Sequence, residues 1–248
     1  MFADIGQLVL LAWETILALP FAWRQRRKIL EQLFEMGNAS LFVACIVSLF
    51  IGGVITLQTG PTLVERGLAT AVGGLVGLSM CKELGPVMMA ILIAGRIGSA
   101  IAAEIGSMAV YQEIDALRTM NISPVRYLVL PRVIAISIAL PALTIFAIMV
   151  GWLGGAIVAN FNTQIGISFQ AFLGDLRRVV EVGDVVKGVI KALVFAGVIG
   201  VVTCHQGLKT IGGPRGIGRS VTKAVVNSIV LILILDYFVT RILMEFKS

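Results

Sequence analysis

The sequence predicts an all-α membrane protein: an N-terminal interfacial helix, then five transmembrane helices, with a short cytoplasmic helix between the second and third spans. Three observations lead there. Of 248 residues, 58% are hydrophobic and 14% are charged, a balance far from that of a water-soluble domain of this length. Five continuous apolar stretches, residues 38–58, 70–105, 128–159, 187–206 and 224–246, reach the roughly 20 residues that a helix needs to cross a hydrocarbon core. Between the second and third lies a segment, residues 108–122, that is too polar to span. A transmembrane barrel is excluded, because its strands alternate apolar and polar residues over about 10 positions and these runs do not alternate.

Residues 1–30 are expected to lie in the plane of the cytoplasmic leaflet. Asp4, Gln7, Leu11, Glu14 and Ala18 fall on one stripe at helical spacing, Phe21 and Trp23 supply aromatic anchors, and Arg24, Arg26, Arg27 and Lys28 follow, the composition of an interfacial helix. The cations come after the apolar run, the reverse of a cleavable signal peptide, so the segment is expected to be retained. The alternative is a short extra span, against which stand the length of residues 5–19 and the presence of Glu14.

The first span has no charge, starts near Asn38, contains Gly52 and Gly53, and is expected to turn outward at Gly60 and Pro61. The second carries small residues at Ala90, Ala94, Gly98, Ala102 and Gly106, a stripe that lets another helix approach closely. It also carries Lys82, Glu83, Arg96 and Glu104. An unpaired charge there costs roughly 3 kcal/mol, so these groups need partners or water; Arg96 and Glu104, nearer the cytoplasmic end, are read as structural.

In residues 108–122 Val110, Ile114 and Leu117 share a face, while Gln112, Glu113, Asp115, Arg118 and Thr119 offer polar contacts. Ser123 and Pro124 close the segment, since a proline disfavours helix in the residue before it. A short helix held along the cytoplasmic surface is a handle by which a soluble subunit can tilt the neighbouring spans. The plain alternative is an interfacial helix with no partner.

Pro131 and Pro141 predict kinks in the third span, and the run Gly151–Gly155 predicts tight contacts. Before the fourth, Phe169, Phe172, Leu173, Leu176 and Val180 recur at steps of three and four, opposite Asp175, Arg178 and Glu181. That is an amphipathic outer-surface helix, facing lipid or a partner protein.

The net charge of +6 is distributed by loop. Arg24 to Lys28 precede the first span; Arg118, Arg126 and Arg132 flank the turn after the second; Lys209, Arg215, Arg219 and Lys223 flank the turn after the fourth. The positive-inside rule makes these regions cytoplasmic, with the N-terminus inside and the C-terminus outside. No basic tail points to nucleic acid.

Helical rise ties the remaining charges together. At about 1.5 Å per residue, Lys191 falls roughly 6 Å below the outer end of the fourth span and Asp236 roughly 18 Å above the inner end of the fifth, within pairing distance of one level. Lys82 and Glu83, about 30 Å above the inner end of the second span, join the same outer layer. A cluster of both signs suits a zwitterionic or anionic headgroup better than a bare ion. The plain alternative is a set of structural ion pairs.

Gly213 to Ser220, GPRGIGRS, has the glycine spacing of a phosphate-binding loop with arginine in place of lysine; no core strand precedes it, so it is read as a cytoplasmic turn. Cys45, Cys81 and Cys204 imply neither a disulfide framework nor a metal site. His205, the single histidine, is expected at a loop edge. No nucleophile–base pairing stands out, so neither catalytic residues, a metal nor a cofactor is expected.

The motifs Lys82–Pro86 (KELGP), Ala94–Ser99 (AGRIGS), Ala102–Gly106 (AAEIG), Gln112–Leu117 (QEIDAL) and Ser123–Arg132 (SPVRYLVLPR) resemble those of the MlaE/YrbE permeases, part of ABC-type lipid transporters that work with MCE-domain proteins. The resemblance continues through Ile190–Phe195, Thr222–Val226 and Leu235–Asp236, covering nearly everything after residue 38. It implies that residues 1–248 form one permease domain in a homodimer. It also implies a cytoplasmic ABC ATPase subunit, an MCE-domain protein on the periplasmic side, phospholipid as cargo and, in some systems, a small cytoplasmic accessory subunit. The membrane would be the inner membrane. Lys82, Glu83, Lys191 and Asp236 match positions tied to the lipid cavity. Gln112, Glu113, Asp115, Leu117 and Arg118 fall in the ATPase-coupling helix. Lys82 stands where arginine is common, giving phosphate a point contact in place of a two-pronged one. Two rivals are a proton-coupled secondary transporter using Lys191 and Asp236, and a non-transporting membrane scaffold.

Overall fold

The computed structural model describes residues 2–245, with residues 2–5 described by backbone only. The side chain of Asp4, residue Phe246 of the fifth stretch and the C-terminus lie outside the described residues. Every regular element among the described residues is helical, and five helical segments are long and apolar enough to cross a membrane.

The N-terminal helix α1, Phe2–Ala18, leads through a 3-10 segment, Leu19–Gln25, into α2, Arg26–Glu65. A second rod is built from α3 (Val72–Ser79), a π-helical turn (Met80–Leu84), α4 (Gly85–Ile93), a second π turn (Ala94–Gly98) and α5 (Ser99–Val110). The short α6, Glu113–Thr119, follows. A third π turn, Val125–Val129, opens α7 (Leu130–Phe161), and α8 (Phe169–Val179), α9 (Val182–Leu208) and α10 (Gly213–Glu245) complete the chain.

The elements form two compact units. One comprises the residues up to Ala39, Ala90–Leu140 and those from Leu193 on; the other comprises Ser40–Met89 and Pro141–Ala192.

In the first unit the small-residue stripe is buried. A Cβ at Gly98 would press on Thr203 and one at Gly106 on Thr210, so the stripe receives the C-terminal half of α9 and the residues just after it. α10 packs along α5. Glu104 pairs with Arg132 at 2.7 Å, and Arg132 Nη1 donates to the Leu128 carbonyl at 2.8 Å. Arg132, expected as a loop cation, is therefore buried and committed to a partner.

Helix α1 packs on the π turn Val125–Val129, and Lys209 Nζ donates to Gln7 Oε1 at 3.3 Å. It thus caps the end of the unit that carries the basic loops. His205 lies in the last turn of α9 and is buried, not at a loop edge, because α1 covers that turn. The stretch expected as a turn, Gly213 to Ser220, is helical: positive φ is confined to Gly212 (89°) and Gly213 (69°), and Pro214 starts α10 where a missing N–H is harmless.

In the second unit Val72, Val76, Ala156, Ala159, Ile165, Phe172 and Leu176 form a buried cluster, joined by Leu63 and Val64. Packing of Leu63 and Val64 carries α2 past Gly60 and Pro61, where a turn was expected. The reversal comes at Gly67, whose φ of 74° a glycine adopts without penalty. Asn38 likewise lies inside α2 rather than at its start.

The amphipathic α8 folds back on its own chain, burying Phe172 and Leu176 against α3, while Phe169 of the same face stays exposed. Ser168 Oγ caps its start by accepting from the Ala171 N–H, and Asp175 accepts from the Gly74 N–H of α3 at 2.5 Å.

Helices α2 and α7 meet backbone to backbone. A Cβ at Gly52 would collide with the carbonyl of Gly151, and one at Gly154 with the carbonyl of Leu49. Gly52→Val is expected to cost about 3 kcal/mol or more, seen as a lower unfolding temperature in detergent, whereas Gly37→Ala, at an open position, should be nearly neutral or slightly stabilising.

Candidate functional site

Lys82 and Glu83 lie in the π turn Met80–Leu84. Asp184 and Lys191 lie on α9, roughly two turns apart on one face. Pro86 explains why these elements bond here. It has no N–H to return to the carbonyl of Lys82, one α turn back, and that orphaned carbonyl accepts from Lys191 Nζ at 2.8 Å. The wide turn, closed by the Gly85 N–H on the carbonyl of Met80, is the irregularity often found where a helix serves a function.

The ion pairs run in two steps. Lys191 Nζ sits 2.7 Å from Glu83 Oε2, and Lys82 Nζ sits 3.2 Å from Asp184 Oδ1. Asp184 Oδ2 also accepts from the Glu181 N–H at 3.3 Å, one half of a capping box, where the positive end of the helix dipole favours a carboxylate. Between the two α9 charges, Gly188 touches the carbonyl of Cys81 so closely that a Cβ would collide with it.

Exposure divides the four groups by role. The side chains of Lys191 and Asp184 are 3% and 6% exposed, those of Lys82 and Glu83 34% and 42%. Two buried charges hold two half-open ones, one of each sign, at the surface of an apolar rod. Hydrocarbon is a costly neighbour for such a surface, at roughly 3 kcal/mol per charge. The arrangement calls for water or for a ligand with complementary charges.

Lys82, Glu83 and Lys191 are thus brought together as the sequence suggests. Asp236 belongs to α10 in the other unit, half-buried, its carbonyl accepting from Thr240 Oγ1 at 2.7 Å. The sequence patterns above gave no role to Asp184, Pro86 or Gly188. The signal for them was present: a proline one turn after a charged residue leaves a carbonyl that needs a donor.

The segment expected as one helix over residues 108–122 is split. Met108 to Val110 finish α5, Gln112 takes φ 62°, and α6 covers Glu113–Thr119 before Asn121 takes φ 60°. The left-handed residues at each end set its limits, ahead of Ser123 and Pro124. Ile114 is its buried residue, at 4% exposure. Gln112, Glu113, Asp115 and Arg118 are exposed and Leu117 half-buried. The Asp115–Arg118 pair, at 3.1 Å, is solvated and adds little stability. Among the described residues no cluster of His, Cys, Asp and Glu could hold a metal ion.

Comparison with known proteins identifies the family. The family model "Permease MlaE" matches residues 29–242. A protein of Synechocystis sp. named a probable ABC transporter permease is 39% identical over 220 residues, 89% of this chain and 83% of its own. One of the same description from Rickettsia typhi is 37% identical over 217 residues, 88% of this chain and 83% of its own. The chloroplastic protein TRIGALACTOSYLDIACYLGLYCEROL 1 of Arabidopsis thaliana is 39% identical over 232 residues, 94% of this chain and 64% of its own. With a match across most of its length and relatives named as transporter permeases, the multi-pass membrane protein described here belongs to the MlaE permease family.

Proposed function

We propose that this chain is the permease subunit of an ABC transporter that moves phospholipid between the inner membrane and an MCE-domain protein on the periplasmic side. ATP is hydrolysed on a separate cytoplasmic chain. The observation that carries the reading is the half-open Lys82–Glu83 pair held inside an apolar rod by Lys191 and Asp184, since a headgroup with both phosphate and ammonium answers both signs at once. The Arabidopsis relative, whose name is that of a glycolipid, supports lipid as the cargo. In this reading residues 1–248 form a single permease domain that works as a homodimer, with its N-terminus cytoplasmic and its C-terminus periplasmic. Lys82, Glu83 and Lys191 are the headgroup-facing residues of this unit, and Asp236 on α10 is a separate candidate. Gln112, Glu113, Asp115, Leu117 and Arg118 present the face that docks into the ATPase, with a small accessory subunit in some systems.

Reconstitution with the partner subunits tests it. Replacing Lys82 and Glu83 together by alanine is expected to lower lipid transfer about tenfold, the loss of one good polar contact, while ATP hydrolysis continues. Undiminished transfer favours a scaffold. Transport that needs a proton gradient and no nucleotide favours a secondary transporter built on Lys191 and Asp236.

A further inference from the structure

A second charged feature lies in the first unit, where the 3-10 segment Leu19–Gln25 meets the π turn Val125–Val129. Pro131 also leaves a carbonyl without its helical donor, here five residues back. The Leu130 N–H closes on the carbonyl of Val125, and the next N–H in that register, which would answer the carbonyl of Arg126, is missing at Pro131. Gln25 Nε2 donates to that carbonyl at 2.8 Å. The bond pins the two segments together, and around it three cations stand over three rings. Arg126 Cζ lies 4.2 Å from the centroid of Phe21, Lys28 Nζ 3.2 Å from that of Tyr127, and Arg26 Cζ 6.0 Å from that of Trp23.

These contacts fix the cations without consuming them. A guanidinium over a ring uses its flat face and leaves its N–H edge for a phosphate. Arg24, Arg26 and Arg126 are exposed, and the neighbouring carboxylate of Glu31 is taken up by Arg27 at 3.1 Å. Trp23 is 80% exposed, with Leu30 and Phe34 also exposed on the turns that follow. Such apolar bulk beside pre-set cations fits a membrane surface and not bulk water.

We propose that Arg24, Arg26 and Arg126, with Phe21 and Trp23, form a binding site for the headgroup of an anionic phospholipid in the leaflet that α1 lies against. The site rests on the chain being membrane-embedded and not on the transport reading, so either can fail alone. It anchors the joint between the N-terminal helix and the start of the third span.

The test uses the full chain in phosphatidylcholine nanodiscs containing phosphatidylglycerol, with retained lipid counted by native mass spectrometry after release into detergent. The unaltered chain is expected to retain phosphatidylglycerol over phosphatidylcholine. Each cation near an anionic surface is worth about fivefold, so Arg24→Gln/Arg26→Gln/Arg126→Gln should reduce the preference by about a hundredfold. Arg177→Gln/Arg178→Gln, on the exposed side of α8, should leave it intact. Arg126→Gln alone, expected to cost about fivefold, reads the same site if the triple variant does not fold. An unchanged preference in the folded triple variant, or in Arg126→Gln where the triple does not fold, overturns the proposal. So does displacement of the retained lipid by glycerol 3-phosphate, which would make the ligand a free phosphate.

Discussion

Lys191→Met is expected to destabilise the protein by about 1 to 3 kcal/mol, the cost of unmaking the charged hydrogen bonds of a buried ammonium whose partner Glu83 is half-open, and, on the function proposed above, to lower lipid transfer about tenfold or more. Lys191 Nζ answers both the Glu83 carboxylate and the carbonyl that Pro86 leaves open, so its removal takes one donor from two acceptors at once. The informative companion is Lys191→Met/Glu83→Gln. Removing both charges of a pair leaves neither uncompensated, so the double variant should recover part of the unfolding temperature in detergent. If the pair serves only to hold helices in register, transfer returns with stability. If Glu83 faces the headgroup, stability returns and transfer stays about tenfold or more below the unaltered protein, as expected for the loss of a charged contact. Transfer at full rate in the double variant would remove Glu83 from the site.

How far the sequence carries depends on what each residue must satisfy. Apolar runs reveal spans because the bilayer demands them of every helix, and the small-residue stripe from Ala90 to Gly106 reveals a close neighbour because nothing else rewards that spacing. Depth arithmetic put Lys82, Glu83, Lys191 and Asp236 at one level, and the structure brings the first three together. Rise per residue says nothing of azimuth, however, and azimuth made Asp184 the partner of Lys82. Asp184 sits at a helix start, where an acid usually has a local role, and here it has both.

The boundaries that shifted did so for tertiary reasons. Leu63 and Val64 carry α2 past Pro61 because they have a core to join. Gln112 takes a left-handed conformation without the glycine or asparagine that usually announces one. The π turns at Met80–Leu84 and Val125–Val129 are more legible in retrospect. Each lies just ahead of a proline, and each leaves a carbonyl that a distant Lys191 or Gln25 bonds.

Ile114→Asp is expected to uncouple the transporter while leaving its spans folded. Helix α6 has 7 residues, too few to hold helical structure alone in water, where isolated helices need about 12 to 15. Its conformation therefore depends on docking, and Ile114 is its buried contact. Exchanging that side chain for a carboxylate forfeits about 2 to 3 kcal/mol of apolar burial and adds the desolvation cost of a charge, enough to release the segment. Because the rest of α6 is exposed or half-buried, the loss should stay local and the detergent unfolding temperature should change little. Lipid transferred per ATP hydrolysed should fall about tenfold, the consequence of losing roughly 1.4 kcal/mol of coupling. Glu113→Lys/Asp115→Lys separates grip from fold: both carboxylates are exposed, so reversing them leaves α6 in place and alters only what a partner meets. If that variant binds its ATPase subunit and transfers lipid at the unaltered rate, the grip lies elsewhere, and the short helix merely joins two spans.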